Sequence, residues 1–142
     1  MDAAVTFARL EPDGIDPANR FQRLREQLGR GAFGLNLIVL QPGQRGRIHR
    51  HAHQEEVYVV LAGTLTLLVE GEERDLAAGE LALVPAHLRR QLVNRRRERL
   101  ELLAIGAAGA HEGRDGEAFT AWEQERGAPP QEVALPDDLE IG

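Results

Sequence analysis

The sequence predicts an all-β chain folded as an antiparallel sandwich or barrel, and three observations carry that expectation. From Leu35 to Ile105, short runs rich in valine, leucine and isoleucine are punctuated by glycine and proline at intervals of about eight to twelve residues. None of the gaps after Leu35 has room for a crossover helix, which disfavours a parallel α/β arrangement. The length, 142 residues, is that of one ordinary domain and suffices to bury about two-thirds of the unfolded surface. A single domain over residues 1–142, with a barrel core at about 35–105, is therefore expected.

The first legible element is helical. Asp16 can cap, Pro17 suits the first helical position, Ala18, Phe21, Leu24 and Leu28 recur at three- and four-residue spacing, and Gly29 supplies a stop, predicting a helix over about 17–28. Its polar side carries Arg20, Arg23, Arg25 and Glu26. Strands follow at Leu35 to Leu40, Ile48 to His51, Val57 to Leu61, Thr64 to Val69, Leu81 to Val84, Gln91 to Val93 and Leu100 to Ile105. Glu70-Gly71 reads as a hairpin turn, and Pro42-Gly43, Ala62-Gly63, Ala78-Gly79 and Pro85 as the other corners. In Val57 to Leu61 both alternating faces are apolar, whereas a strand with one solvated face would alternate. That points to a second sheet or a second subunit over the outer face, and predicts a homodimer.

After Ile105, residues 106–113 read as a flexible connection. A short helix follows at about 117–126, with Phe119 and Trp122 docking on the barrel. The acidic, proline-broken tail to Gly142 reads as either disordered or wrapped on a neighbour.

Composition removes several chemistries. There are no cysteines, so disulfide frameworks, zinc ribbons, iron–sulfur clusters and thiol nucleophiles are excluded. All 17 basic residues are arginine, which excludes lysine Schiff bases and the lysine-bearing phosphate loop, and hints at a GC-rich bacterial coding sequence. A formal net charge of -6 argues against sequence-independent nucleic-acid binding. The one basic patch, Arg95-Arg96-Arg97-Glu98-Arg99, holds a glutamate and no aromatic residue to stack on bases, and reads as a solvated loop rather than an anion site. Met1-Asp2-Ala3-Ala4 has no positive region ahead of an apolar stretch, and no segment approaches the roughly 18 apolar residues of a membrane span. A soluble, cytoplasmic protein without nucleic-acid or membrane partners is expected.

Chemistry concentrates at His49, His51 and His53, which alternate and lead into Glu55 and Glu56. Period-two spacing projects side chains from one face of a strand, so two imidazoles can meet at one point beside a carboxylate. Neutral imidazole nitrogens and a carboxylate oxygen suit divalent iron, manganese, nickel, copper or zinc, with positions left open for substrate. His53 reads as a surface turn residue, and His111 as a loop residue without a role. Tyr58 shares parity with Glu56 and either faces the pocket or fills the core.

At these residues the sequence resembles the cupin superfamily. Its first motif is a glycine, five residues, His-x-His, three or four residues, a glutamate, six residues and a glycine. Gly43, His49, His51, Glu56 and Gly63 reproduce every spacing. This match selects Glu56 over Glu55, and His49 with His51 over His51 with His53. The second motif is matched by Gly79, Pro85 and Asn94, but His87 stands where glycine is usual, and Arg90 stands where the fourth, histidine ligand is expected. The resemblance implies a double-stranded β-helix, or jelly-roll barrel, with a divalent metal (manganese, iron, nickel or zinc) or a small molecule in its wider mouth. It leaves the reaction open, because the superfamily spans many chemistries on one fold.

Arginine offers donors only and keeps its proton, so Arg90 cannot replace a histidine ligand. Three arrangements are open. His49, His51 and Glu56 hold a metal weakly while Arg90 and Tyr58 bind a small anionic molecule; or Arg90 pairs with Glu56 in a metal-free binding or regulatory barrel; or Arg90 points outward, leaving His87 near the mouth as a substitute ligand.

Overall fold

The computed structural model describes residues 5–29, 33–106 and 115–141. The strands among them are β1 (Phe21–Arg23), β2 (Gly34–Leu40), β3 (Ile48–His51), β4 (Glu56–Ala62), β5 (Thr64–Val69), β6 (Glu72–Ala77), β7 (Leu81–Val84), β8 (Arg90–Val93), β9 (Leu100–Gly106) and β10 (Gly116–Phe119), with one short helix, α1 (Leu24–Leu28). They form two five-stranded sheets, ordered β1-β2-β9-β4-β7 and β10-β3-β8-β5-β6. Every pairing is antiparallel.

Strand alternation explains how the sheets face one another. Ile38 and Leu40, Tyr58 and Val60, and Leu100, Leu102 and Ala104 project from β2, β4 and β9 to meet Leu65, Leu67 and Leu92 from the opposite sheet in one buried cluster. The seven strands expected from the sequence are present with bounds within a residue of the expected ones. β6 was hidden because only Leu76 of its six residues is buried. It pairs β5 through the Glu70-Gly71 turn and lies at a sheet edge, where charged residues discourage further strand addition.

Two motif glycines are required by close approach. At Gly43 (φ 84°) an added Cβ would lie 2.3 Å from the Leu139 carbonyl oxygen, and at Gly63 (φ 81°) 2.5 Å from that of Arg99.

The expected helix over 17–28 is confined to Leu24–Leu28. Arg20 takes a left-handed φ of 73°, and residues 21–23 then pair with β2 in the register Phe21↔Ile38. Satisfying the β2 edge outweighs local helix propensity. Leu24 packs with Leu37 and Val39 on the outside of β2, so this part of the outer apolar face is covered from within the chain. The expected helix over 117–126 is replaced by β10 and turns. Gly116–Phe119 pair with β3, and Ala118 exchanges two backbone hydrogen bonds with Ala128. β3 meets β8 at the single register pair His49↔Arg90, and β10 supplies its other edge.

Phe119 is buried under the Arg89 guanidinium, which lies 3.6 Å from the ring centroid. The described tail returns to the barrel: Leu139 donates to the Gly43 carbonyl, and Arg45 and Arg47 donate to the carbonyls of Asp137 and Val133. The expected connection at 106–113 and His111 lie outside the described residues, apart from Gly106 at the end of β9. No helix among the described residues is long and apolar enough to cross a membrane.

Candidate metal centre

The centre forms where three strands turn polar side chains into the space between the sheets. His49 and His51 project together from β3, Glu56 and Tyr58 from β4, and Arg90 from β8 directly opposite His49. His51 Nε2 lies 3.2 Å and His49 Nε2 3.5 Å from Glu56 Oε1. One ligand atom from each of the three residues lies within 4.8 Å of the others, so the group could hold a metal ion. Atoms about 2.1 Å from a shared ion, at tetrahedral to octahedral angles, stand about 3.0–3.4 Å apart. Both contacts to Oε1 are close to that spacing. His53 is exposed, and the set formed is His49, His51 and Glu56 rather than one with His53 or Glu55.

The imidazoles are oriented from behind. His49 Nδ1 lies 3.1 Å from the Arg47 carbonyl oxygen, an acceptor only, so Nδ1 carries a proton and Nε2 is the nitrogen presented to Glu56. His51 Nδ1 faces Asp115 Oδ2 at 3.5 Å, too long to count as a hydrogen bond. Asp115 is fixed by the backbone N–H groups of Ala52, His53 and Gln54. A carboxylate behind a ligating imidazole is a common way to hold it and raise its basicity. Two imidazole nitrogens and a carboxylate oxygen aimed at one point are bridged there either by a proton on Nε2 or by a cation, and the donor set fits a borderline divalent ion.

Arg90 does not point outward. It is fully buried, with Nη1 donating to the carbonyls of Ala86 and Leu88, Nε to Tyr58 Oη at 3.3 Å, and Nη2 3.3 Å from Glu56 Oε1. The Nη2 contact is charge against charge rather than an aligned hydrogen bond. His87 is exposed and stands outside the cluster. Tyr58 both fills the core and donates to Glu56 Oε1 at 2.6 Å. Burial pushes the Glu56 carboxyl up, but hydrogen bonds donated from Nε2–H of His49 and His51 overrule it and hold the group well below the usual carboxylate range, each such proton standing where a bound ion would. Burial and the Glu56 charge push the Tyr58 phenol well above its ordinary value against the pull of Arg90, so it stays a donor.

His49, His51, Glu56 and Tyr58 line a cavity of about 260 Å³ that Arg20 and Arg47 also line. Arg20, expected on a solvated helix face, faces this cavity instead, and Arg47 and Asp115 join the site beyond the residues expected from the motif. Arg47 shares the period-two face of His49 and His51, a signal that was available. Asp115 and Arg20 reach the site only through tertiary folding. The basic loop is largely paired: Arg95 with Glu73, Arg96 with Asp75, and Arg99 with Asp13 and Glu101. Asn94 holds that loop through the carbonyls of Leu40 and Glu98, a structural role for the second-motif asparagine.

A family model of the cupin domain matches residues 36–106, and the chain belongs to that family: an all-β cupin barrel. Among solved structures, a sugar phosphate isomerase of the cupin superfamily from Silicibacter pomeroyi is 28% identical, with a TM-score of 0.61 over 72% of this chain and 76% of that one. A Cupin 2 conserved barrel domain protein from Salinispora arenicola is 25% identical, with a TM-score of 0.64 over 75% of this chain and 92% of that one. Among curated proteins, a mannose-1-phosphate guanylyltransferase from Salmonella montevideo is 28% identical over 103 residues, 72% of this chain and 19% of that protein. The chain spans about a fifth of the length of the curated relatives it matches.

Proposed function

We propose that this cupin barrel binds a divalent cation weakly through His49, His51 and Glu56 and binds or transforms a small anionic molecule of the sugar-phosphate kind. The convergence of both Nε2 atoms on Glu56 Oε1, with the His49 tautomer set from behind by the Arg47 carbonyl, carries the metal half of the reading. The names of the relatives, a sugar phosphate isomerase and mannose-1-phosphate guanylyltransferases, support the ligand class. When bound, such an ion polarises a substrate hydroxyl or carbonyl oxygen. The chain's own groups orient that oxygen: His49 and His51 from one sheet, Glu56 from the other, and Tyr58 from the cavity wall. Arg90 acts on the ligand through Glu56 and Tyr58, and its charge weakens the cation site.

The 3.3 Å approach of Arg90 Nη2 to Glu56 favours a second reading, a metal-free binding or regulatory barrel in which the guanidinium stands in for the ion. Thermal unfolding with manganese, iron(II), nickel or zinc separates the two. The metal reading expects a rise in Tm that saturates with concentration and is lost in His51→Ala. Absence of any shift, together with no stoichiometric metal in protein purified without chelator, sinks it.

We also propose a homodimer across the uncovered half of the outer sheet face. Leu81 and Leu83 are 60% and 58% exposed and stand opposite Val59 and Val57, continuing the apolar row that α1 covers over β2. The expected solution mass by light scattering is that of two chains, reduced to one by Leu83→Glu. A wild-type chain monomeric at micromolar concentration overturns this.

A further inference from the structure

The backbone of Arg20 turns the chain into β1, but the metal centre makes no use of its side chain. Its φ of 73° is left-handed for a residue with a side chain, a strained conformation that persists only where the surroundings impose it. Here the Arg20 N–H donates to Asp16 and its carbonyl accepts from Val39. The side chain is thereby turned inward, leaving the residue 8% exposed. Nη1 donates to the Arg45 carbonyl at 2.9 Å, and Nη2 lies 3.9 Å from Asp138, whose side chain is 58% exposed. Nε is buried with no partner among the described residues. Because Nε itself has no open surface, it is the charge of the lining guanidinium, rather than this N–H, that a ligand in the cavity can answer.

Arg47 lines the same cavity, tethered by its Nε to the Val133 carbonyl at 2.5 Å. Burial lowers the Arg20 pKa, Asp138 raises it, and the neighbouring Arg47 charge lowers it again, so the two cations repel. The remaining charge on the wall is Glu56, which Arg90 already offsets from behind. Asp138, 3.9 Å away and largely exposed, offsets Arg20 only in part, so the wall keeps an excess of positive charge that a dianion answers better than a single carboxylate. A phosphate monoester carries about −1.5 to −2 at neutral pH, and its oxygens match guanidinium forks. A cavity of about 260 Å³ takes a small metabolite rather than a polymer.

We infer that Arg20 and Arg47 form a phosphate-binding end of the cavity, so that its ligand is a small phosphate monoester whose other end reaches His49, His51 and Glu56. The inference rests on reading the cavity as a small-molecule site. It assigns the anion contact to residues of the N-terminal segment and of the approach to β3, whereas the motif position 90 lies behind the wall.

The test is thermal unfolding and calorimetric titration in EDTA at fixed ionic strength, with inorganic phosphate, acetate, and a hexose 6-phosphate against the free hexose. Phosphate and the hexose phosphate are expected to raise Tm, and acetate and the free hexose are not. Arg20→Gly accepts the positive φ without strain while deleting the cation, and Arg47→Gln is a second variant should the first fail to fold. Each is expected to weaken phosphate binding by about ten- to a hundredfold. No phosphate response in the wild type, an acetate response equal to it, or unchanged phosphate affinity in both variants overturns the inference. The manganese shift separates this claim from the metal reading: a phosphate response that survives in His51→Ala, or without any manganese response, supports the subsite on its own.

Discussion

Replacing Arg90 with histidine is expected to tighten divalent-metal binding by at least about a hundredfold and, in the same protein, to lower the stability of the metal-free form. The first effect follows from distance. Arg90 Nη2 lies 3.3 Å from Glu56 Oε1, and an ion bound to that oxygen would sit about 2.1 Å from it, so ion and guanidinium charge are at most about 5.4 Å apart. At an effective dielectric near 20 the repulsion is about 3 kcal/mol per unit of ionic charge, or roughly a hundredfold in affinity. Histidine removes that charge and adds a nitrogen donor on β8, from the register position facing His49. The second effect has the opposite sign. Without metal, Glu56 loses a buried counter-charge, and breaking such a pair from one side costs about 3–5 kcal/mol. Calorimetric titration with zinc or nickel, and unfolding in EDTA, read the two effects separately. No gain in affinity would mean that His49, His51 and Glu56 do not close on one ion.

The site was legible where its chemistry follows strand parity. His49 with His51, and Glu56 with Tyr58, are pairs two residues apart, and the spacing of the first motif distinguished Glu56 from Glu55. The barrel strands were legible for the same reason, since alternation against a core leaves a period in the sequence. What failed was decided by partners remote along the chain. Residues 17–28 carry helical spacing, yet residues 21–23 extend because β2 has an edge to satisfy. Phe119 and Trp122 sit three apart as on a helix, yet residues 116–119 complete β3. Arg20 looked like a solvated helical arginine, and only the left-handed turn before β1 turns it inward. Asp115, which faces His51 Nδ1 and caps three backbone N–H groups, carries no local signal, because its position depends on β10 docking beside β3.

Glu56→Gln is expected to be among the most damaging single substitutions in the barrel, although it changes one atom and no volume. Oε1 is approached by His49, His51, Tyr58 and Arg90, and the amide has no charge to set against the buried guanidinium. A loss of about 3–5 kcal/mol in stability is expected, together with the loss of any metal response. Removing both charges in Glu56→Gln/Arg90→Met should cost less than the two single changes added together, by up to about 3 kcal/mol, because the double change leaves no unpaired ion. A second readout is independent of folding energy. Tyr58 is the one tyrosine of the chain, and after burial the Glu56 charge is the next largest influence raising its pKa. In Glu56→Gln the phenol should therefore ionise at lower pH than in the wild type, as followed by its ultraviolet absorbance during alkaline titration. Simple additivity of the two substitutions with an unmoved phenol titration would mean that the Ala86 and Leu88 carbonyls and Tyr58 satisfy Arg90 by themselves. Glu56 would then be a cavity-wall carboxylate rather than the point on which the centre is built.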